Sequence, residues 1–359
     1  MKVLMIAPLQ PEIGGVSKYS QRLTSSLKNQ VSLDVIGVGI SRGTTFNLSR
    51  KTARRSPLQL FREFAGIFSA RRDAARVAEL VRKKDIDIVH VQYEPGLYNL
   101  FFTPFLMGKC RAKRVLTLHG RDYFPLGLFH RLFLYPRTDV IVVHNETHAR
   151  TLHEKNVRII PMGMESFEKT GFIPNLLYFG FMSPHKGIEF LLEAFSVLKK
   201  NHGNLKLYLD STVNVAHEPE AAYRKSLETE AKKLGVAGSV VWEKMSASAL
   251  GKVPASIAVF PFKRSYSAGQ SMSVLDCMAA GKVPIVSNLP GLTATVRDGW
   301  NGLVVEPEDV SSLTAALERL LSDKGLAARL TANCRELTAD NSWPKVAMKT
   351  AALYSSMLR

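Results

Sequence analysis

At 359 residues with 46% hydrophobic content, the chain is too long for one ordinary core and too apolar for wholesale disorder, so two domains of roughly 150–200 residues fit. Three widely spaced cysteines, Cys110, Cys277 and Cys334, exclude a disulfide framework or a metal-ligand spacing, and no apolar run reaches the ~20 residues that span a bilayer. The net charge of +17 is uneven: residues 1–165 carry 26 Lys+Arg against 13 Asp+Glu, the remainder 22 against 18, and residues 42–84 alone 12 against 3, an excess that draws phosphates or simply solvates a basic surface.

The start, Met1-Lys2-Val3-Leu4-Met5-Ile6-Ala7-Pro8, is too short for a signal-peptide core and reads as a buried strand. Strands are expected at Val3–Ala7, Leu33–Val38, Ile88–Val91, Arg114–Leu118, Val140–His144 and Val157–Ile160, with helices at Ser17–Leu27 and Pro57–Lys83 between them. Pro161–Pro174 has no clear period and reads as a hinge linker. The pattern restarts with strands at Asn175–Gly180, Leu205–Leu209, Val240–Trp242, Ile257–Phe260 and Lys282–Ser287. Helices are expected at Gly187–Lys200, Asp309–Ser322 and Trp343–Leu358. Strands alternating with helices predict an α/β chain of two doubly wound domains, with ligands beyond the carboxyl ends of the strands in a cleft.

Several segments carry chemistry on that plan. Gly14 and Gly15, in the loop after the first strand, allow close backbone approach, and Ser17 can cap the helix behind them; an ordinary tight turn has the same composition. A third glycine at the dinucleotide spacing is missing, which argues against a nicotinamide enzyme. Phe61, Phe64 and Phe68 make a stripe among arginines, suited to a membrane surface or to packing on the sheet. With Arg54, Arg55, Arg71 and Arg72 it marks a candidate acceptor or membrane side. His90, His119 and His144 all end strands, where a histidine is commonly structural. Gly120-Arg121-Asp122 behind His119 singles it out, and Glu94 lies on the same side.

In the second half, Tyr178-Phe179-Gly180-Phe181-Met182-Ser183-Pro184-His185-Lys186-Gly187 puts Lys186 on a strand-to-helix loop, where it can neutralise an anion or merely flank the helix. The strand Ile257–Phe260 delivers Lys263 and Arg264 beside the stretch Ser265–Gly281. There a small polar loop with Ala268, Gly269, Gln270 and Ser271 enters a helix bearing Asp276. Such a loop aims N–H groups at an anion, and an acid one and a half turns on can take hydroxyls. A nucleotide sugar offers both.

Together these segments resemble the retaining glycosyltransferases of family 4, which have the two-domain GT-B fold. The resemblance spans essentially the whole chain. Beyond the motifs above it rests on Thr117-Leu118-His119-Gly120, Ile160-Pro161-Met162-Gly163-Met164, Val241-Trp242-Glu243-Lys244-Met245-Ser246 and Asp298-Gly299-Trp300-Asn301-Gly302-Leu303-Val304-Val305, an ordered set that is specific together and weak singly. It implies two Rossmann-like domains facing a cleft: residues 1–165 for the acceptor, 166–340 for the nucleotide sugar, and 341–359 as a helix crossing back to the first domain. The implied activity is transfer of a hexosyl unit from a nucleotide-diphosphate sugar to a saccharide or lipid-linked acceptor in glycan, glycolipid or polysaccharide synthesis. No metal or other cofactor is expected.

On that mapping Lys186 and Arg264 meet the diphosphate with Ala268–Ser271, and Gly14 and Gly15 back it. Asp276 takes ribose hydroxyls, Glu243, Lys244 and Met245 border the base, and His119 joins Lys186 as a catalytic candidate near the transferred sugar. The implied location is cytoplasmic and peripheral, with an anionic membrane surface as a further partner; nucleic acid is not expected, for want of any binding module. Two departures stand out. Ala268 occupies the place of the first acid of the family's paired motif, and Phe181, Met182 and Ser183 stand where an arginine is usual. A nucleotide-sugar-binding partner without transferase activity is therefore the alternative.

Overall fold

A computed structural model describes residues 1–8, 15–37, 57–93, 97–120, 126–165, 171–210, 218–266 and 269–359, and only the backbone of 57–68, 97 and 218–220. The first elements are β1 (Lys2–Ala7), α1 (Gly15–Leu27), β2 (Ser32–Gly37), α2 (Pro57–Lys83), β3 (Ile88–Tyr93), α3 (Leu97–Lys109), β4 (Lys113–Leu118), α4 (Leu126–Phe129), β5 (Val140–Val143), α5 (Glu146–Leu152) and β6 (Val157–Ile159). There follow β7 (Leu176–Tyr178), α6 (Ile188–Lys199), β8 (Leu207–Asp210), α7 (Glu218–Lys233), β9 (Val240–Glu243), β10 (Ile257–Phe260), α8 (Met272–Ala279), β11 (Val283–Ser287), α9 (Pro290–Thr293), β12 (Leu303–Val305), α10 (Val310–Ser322), α11 (Lys324–Asp340) and α12 (Trp343–Leu358). Internal contacts group them into two units: Met1–Gly163 with Trp343–Arg359, and Met164–Ser342.

Each unit is built on a parallel six-stranded sheet. In the first the order is β2-β1-β3-β4-β5-β6, and the inner strands β1, β3 and β5 are almost wholly buried, as helices covering both faces require. In the second it is β9-β8-β7-β10-β11-β12. There the chain winds outward from β7 to β9, then returns to pair β10 with β7 and winds the other way, so the direction reverses between β7 and β10. The helix α2 spans the range expected of it. Its C-terminal half buries Ala70, Ala74 and Val81 with Leu106 and Met107 of α3 in the first core. The side chains of Phe61 and Phe64 fall outside the described residues, as do Arg54 and Arg55.

Most strand bounds shift by one or two residues, and two shifts and one unexpected helix have local reasons. β7 stops at Tyr178 because Gly180 turns the backbone to φ +136°. β8 runs on to Asp210, whose carboxylate is bonded inside the unit. α11 starts where the Asp323 side chain accepts from Leu326 N at 2.8 Å, a cap that ends α10 and begins a new helix at once.

α12 closes the first unit against α1. Its Trp343 meets Tyr19 of α1 edge-on at 5.3 Å, and its Tyr354 hydroxyl lies 2.5 Å from His90 Nδ1 on β3. A Cβ on Gly163 would fall 2.3 Å from the Trp343 ring, so only glycine lets the chain pass there. Gly163→Ala is expected to cost about 1–3 kcal/mol as an overpacked site, read as a lower melting temperature. Gly171→Ala, with nothing within 4 Å of its Cβ, should leave melting unchanged.

Candidate functional site

The carboxyl rim of the second sheet, where the strand order reverses between β7 and β10, is where a doubly wound sheet binds ligands. Two of the sequence motifs meet there. A Cβ on Gly180, after β7, would lie 2.9 Å from Ser273 Oγ in the first turn of α8. Gly187, at φ +63°, abuts the loop after β10, where a Cβ would lie 2.1 Å from the Pro261 carbonyl oxygen. Lys263 N donates to the His185 carbonyl at 3.0 Å, and the His185 and Tyr266 rings stack at 5.6 Å. The two loops thus form one packed body.

Ser271 directly precedes α8, and its side chain makes no capping bond among the described residues. The first N–H groups of α8 therefore stand ready for an anion. The first turn of α6 differs, because Ile188 N already donates to the Tyr223 hydroxyl at 2.9 Å. Next to the α8 turn, Gln270 Nε2 donates to Thr295 Oγ1 at 2.5 Å, while the buried Gln270 Oε1 has no hydrogen-bond partner among the described residues.

Lys186 is half-buried, with Nζ 3.8 Å from the Phe262 ring centroid and 4.3 Å from that of Tyr266. Among the described residues no carboxylate pairs with it. Burial pushes its ammonium down to about 7, although the two ring faces attract a cation. The neighbouring cations are differently placed. Lys263 pairs with Glu189, which also accepts from the Tyr223 hydroxyl. Arg264 is exposed and lies 3.5 Å from Glu308 Oε2. Among the described residues the arrangement leaves Lys186 with no acid beside it, unlike Lys263 and Arg264.

Asp276 sits on α8 at 3% exposure, and Asp210 closes β8 at 2%. Asp210 spans its neighbours: Oδ2 accepts from Gly180 N after β7, and Oδ1 from Met245 N after β9, each at 3.2 Å. It thereby holds the Gly180 turn and the Glu243-Lys244-Met245 segment. Glu243 and Lys244 are exposed.

The first unit carries a different polar cluster. Gln92 on β3 is in register with Thr117 on β4, and Thr117 with Val142 on β5. Alternation then puts His90, Gln92, Thr117, His119 and His144 on one face. They form a chain. Tyr354 Oη meets His90 Nδ1, His90 Nε2 lies 2.7 Å from Thr117 Oγ1 and 3.2 Å from the Gln92 amide, and Gln92 meets His119 Nε2 at 2.9 Å. His119 Nδ1 then meets His144 Nε2 at 3.2 Å, and His144 Nδ1 meets the Ile160 carbonyl at 2.9 Å.

Protons can be placed along this chain. The Ile160 carbonyl only accepts, so His144 carries its proton on Nδ1 and, neutral, accepts at Nε2. His119 then donates from Nδ1 and leaves Nε2 bare. The group facing Nε2 is thus the Gln92 NH2, with the amide oxygen turned to His90 Nε2–H, an exchange of O and N about one torsion. Burial holds the rings neutral, His90 down to about 3, His144 to about 4 and His119 well below its ordinary range, with neighbouring histidines adding to the effect. Both nitrogens of His119 are engaged within this unit, so a ring contact with a substrate oxygen would have to displace Gln92 or His144.

Residues 13–166 match the family model described as Glycosyltransferase Family 4, and residues 166–337 the model described as Glycosyl transferases group 1. The chain belongs to the family 4 type of glycosyltransferases. An uncharacterized glycosyltransferase of Methanocaldococcus jannaschii is 25% identical over 376 aligned positions, 99% of each chain. Among solved structures, sucrose-phosphate synthase of Thermosynechococcus elongatus superposes with a TM-score of 0.76 at 18% identity, over 100% of this chain and 99% of that one. HepE of Anabaena in complex with UDP superposes with a TM-score of 0.73 at 14% identity, over 99% and 100%. These likenesses establish the fold.

In this glycosyltransferase the Lys186 loop and Gly269–Ser271 belong to the β7/β10 rim, and Asp276 is buried about one turn further along α8. Gly14 and Ala268 lie outside the described residues, and Gly15 is the exposed first residue of α1. Arg71 holds its guanidinium 5.6 Å from the Phe105 ring of α3, and Arg72 lies 3.9 Å from Asp73. Among the described residues no three of His, Cys, Asp and Glu converge as a metal site.

Sequence reading missed Asp210, although an acid ending the apolar run Leu207–Asp210 is a usable signal. It also missed Phe262 and Tyr266 as the rings under Lys186, and Gln92 as the link between two histidines. Asp210→Ala in the glycosyltransferase would leave the Gly180 and Met245 N–H groups without their acceptor. A loss of about 1–3 kcal/mol is expected, measured by chemical denaturation, together with weaker binding of any ligand held by the two turns.

Proposed function

We propose that the glycosyltransferase moves a hexosyl unit from a nucleotide-diphosphate sugar to a saccharide or lipid-linked acceptor, with retention at the anomeric carbon, and that its second unit binds the donor. The observation that carries this reading is Lys186, a half-buried ammonium without a carboxylate partner among the described residues, on the same rim as the uncapped first turn of α8. A diphosphate supplies the missing countercharge to both. That HepE of Anabaena has been solved with UDP-glucose supports a nucleotide-sugar donor for this fold.

In the proposed reaction the bond from the anomeric carbon to the diphosphate oxygen breaks, and the acceptor oxygen bonds to that carbon on the same face. The acceptor proton passes to the departing phosphate oxygen. Lys186 and the α8 N–H groups stabilise the charge on departure, each well-aimed donor contributing ~3–4 kcal/mol in the transition state. That work requires no metal in this reading. Asp276 is assigned to the ribose, Glu243, Lys244 and Met245 to the base, Arg264 to the diphosphate once released from Glu308, and His119 to the transferred sugar. A covalent double displacement would need an acid near the anomeric carbon, and Ala268 removes the family's usual one. Ala268 also favours the second reading, a donor-binding partner without turnover. The basic first unit is assigned to an acceptor at the cytoplasmic face of an anionic membrane.

A thermal-shift screen against GDP-, UDP-, ADP- and CMP-sugars should single out one base, with ~2.7 kcal/mol of stabilisation at a hundredfold excess over Kd. With that donor, Lys186→Ala is expected to lower transfer by about 10²–10³ without lowering the melting temperature, since it removes a cation that burial disfavours. Transfer should survive a chelator. Near-normal transfer by Lys186→Ala would remove the diphosphate role, and tight donor binding with neither transfer nor donor hydrolysis would favour the partner reading.

A further inference from the structure

Between β4 and β5 the first unit carries a helical segment whose polarity is inverted. α4 runs into a π-helical turn, His130–Leu134. The inward positions are His130 and Leu134, both buried, with His130 Nε2 2.7 Å from the Tyr93 hydroxyl. The wide π turn places Arg131, Leu132 and Phe133 outward between them. Leu128, Leu132 and Phe133 are 52%, 58% and 46% exposed, while a histidine occupies the interior. Nothing in the core forces these three outward side chains to be apolar.

The patch continues into a basic surface. Phe133 packs on Phe129 at 4.9 Å, and Phe129 on Phe101 of α3 at 6.2 Å. One helical turn on from Phe101, half-buried Phe105 carries the Arg71 guanidinium of α2. On the other side Arg137 Nη1 donates to the Phe133 carbonyl at 2.7 Å and lies against Gly108, next to exposed Lys109 and close in sequence to Arg111. Across the described residues 97–120 and 126–138 there are six Lys+Arg and no Asp or Glu. The next acid in sequence, the part-exposed Asp139, is paired with Arg114, and Glu146 beyond it is paired with Arg150 on α5.

We propose that Leu128, Leu132 and Phe133 are the apolar tip of a docking surface for an anionic lipid bilayer, with Lys109, Arg111 and Arg137 as its headgroup contacts. This rests on the membrane-side acceptor reading above and gives it a location. An apolar tip enters the acyl boundary while the cations around it meet lipid phosphates. The acids at its margin, Asp73 and Asp139, are each engaged by cations, and the positive excess that remains selects a lipid surface over an ordinary protein partner, whose interfaces balance both signs.

The test is co-sedimentation of the full chain with vesicles of phosphatidylcholine alone and with roughly 30% phosphatidylglycerol, where each cation should strengthen binding about fivefold. Wild type should prefer the anionic vesicles at least tenfold. Leu132→Ser with Phe133→Ser should weaken that binding by about tenfold or more, and Lys109→Glu with Arg111→Glu should abolish the anionic preference. Both variants alter exposed side chains and should melt as wild type does. Equal binding to both vesicle types, or serine-variant binding equal to wild type, would overturn the proposal. So would self-association of wild type that the serine variant loses in the absence of any vesicle binding. The donor reading is scored separately, by the nucleotide-sugar thermal shift without vesicles, so the two can fail independently.

Discussion

In the second unit everything depends on one topological constraint, the reversal of strand order between β7 and β10. Helices that follow strands on either side of that point leave in opposite directions, so their starting loops face each other with no helix between them. Into that gap the chain sends Phe179–Gly187 from one side and Pro261–Tyr266 with Gly269–Ser271 from the other. The contacts at Gly180 and Gly187 show how closely the two loops are pressed. Asp210, one strand away, fastens the neighbouring turns on both sides of β8.

Lys186 gives the gap its chemistry. An ammonium half out of water, without an acid among the described residues, is an unfavourable state that a bound anion relieves. The neighbouring arrangement points the same way. The glutamate that could have neutralised the loop, Glu189, is occupied by Lys263 and Tyr223, and the first turn of α6 is closed by the same tyrosine. Among the described residues the first turn of α8 has no such closure. Charge and N–H donors are therefore both left open on this one rim.

Much of this was legible in sequence, because buried parallel strands are short apolar runs and their order along the chain declares the architecture. Ile257–Phe260 and the bounds of α2 and α12 were read as they stand. What was not legible depends on register between distant strands. His90, Gln92, His119 and His144 look like separate strand-end residues until Gln92 pairs with Thr117 and Thr117 with Val142. Arg264 looks like a companion to Lys186 until Glu308, 44 positions away in sequence, draws it aside. β12 and α11 were missed because three apolar residues and an alanine-rich stretch carry little periodicity. The exposed Leu132 and Phe133 would ordinarily be counted as core, and only the π turn sets them outside.

The central claim, that a donor diphosphate lies against Lys186, is tested most directly by the protons exchanged on binding. Lys186 is held down to about 7, so at pH 8 it is mostly neutral in the free protein, whereas a bound diphosphate favours the ammonium. Binding of a nucleotide sugar, whose diphosphate diester does not titrate near that pH, should then take up most of one proton, and affinity should fall as pH rises above 7. Calorimetric titration at pH 8 in two buffers of different ionisation enthalpy reads this number. The account predicts uptake in wild type that vanishes in Lys186→Ala; binding enthalpies that are the same in both buffers for wild type would contradict it.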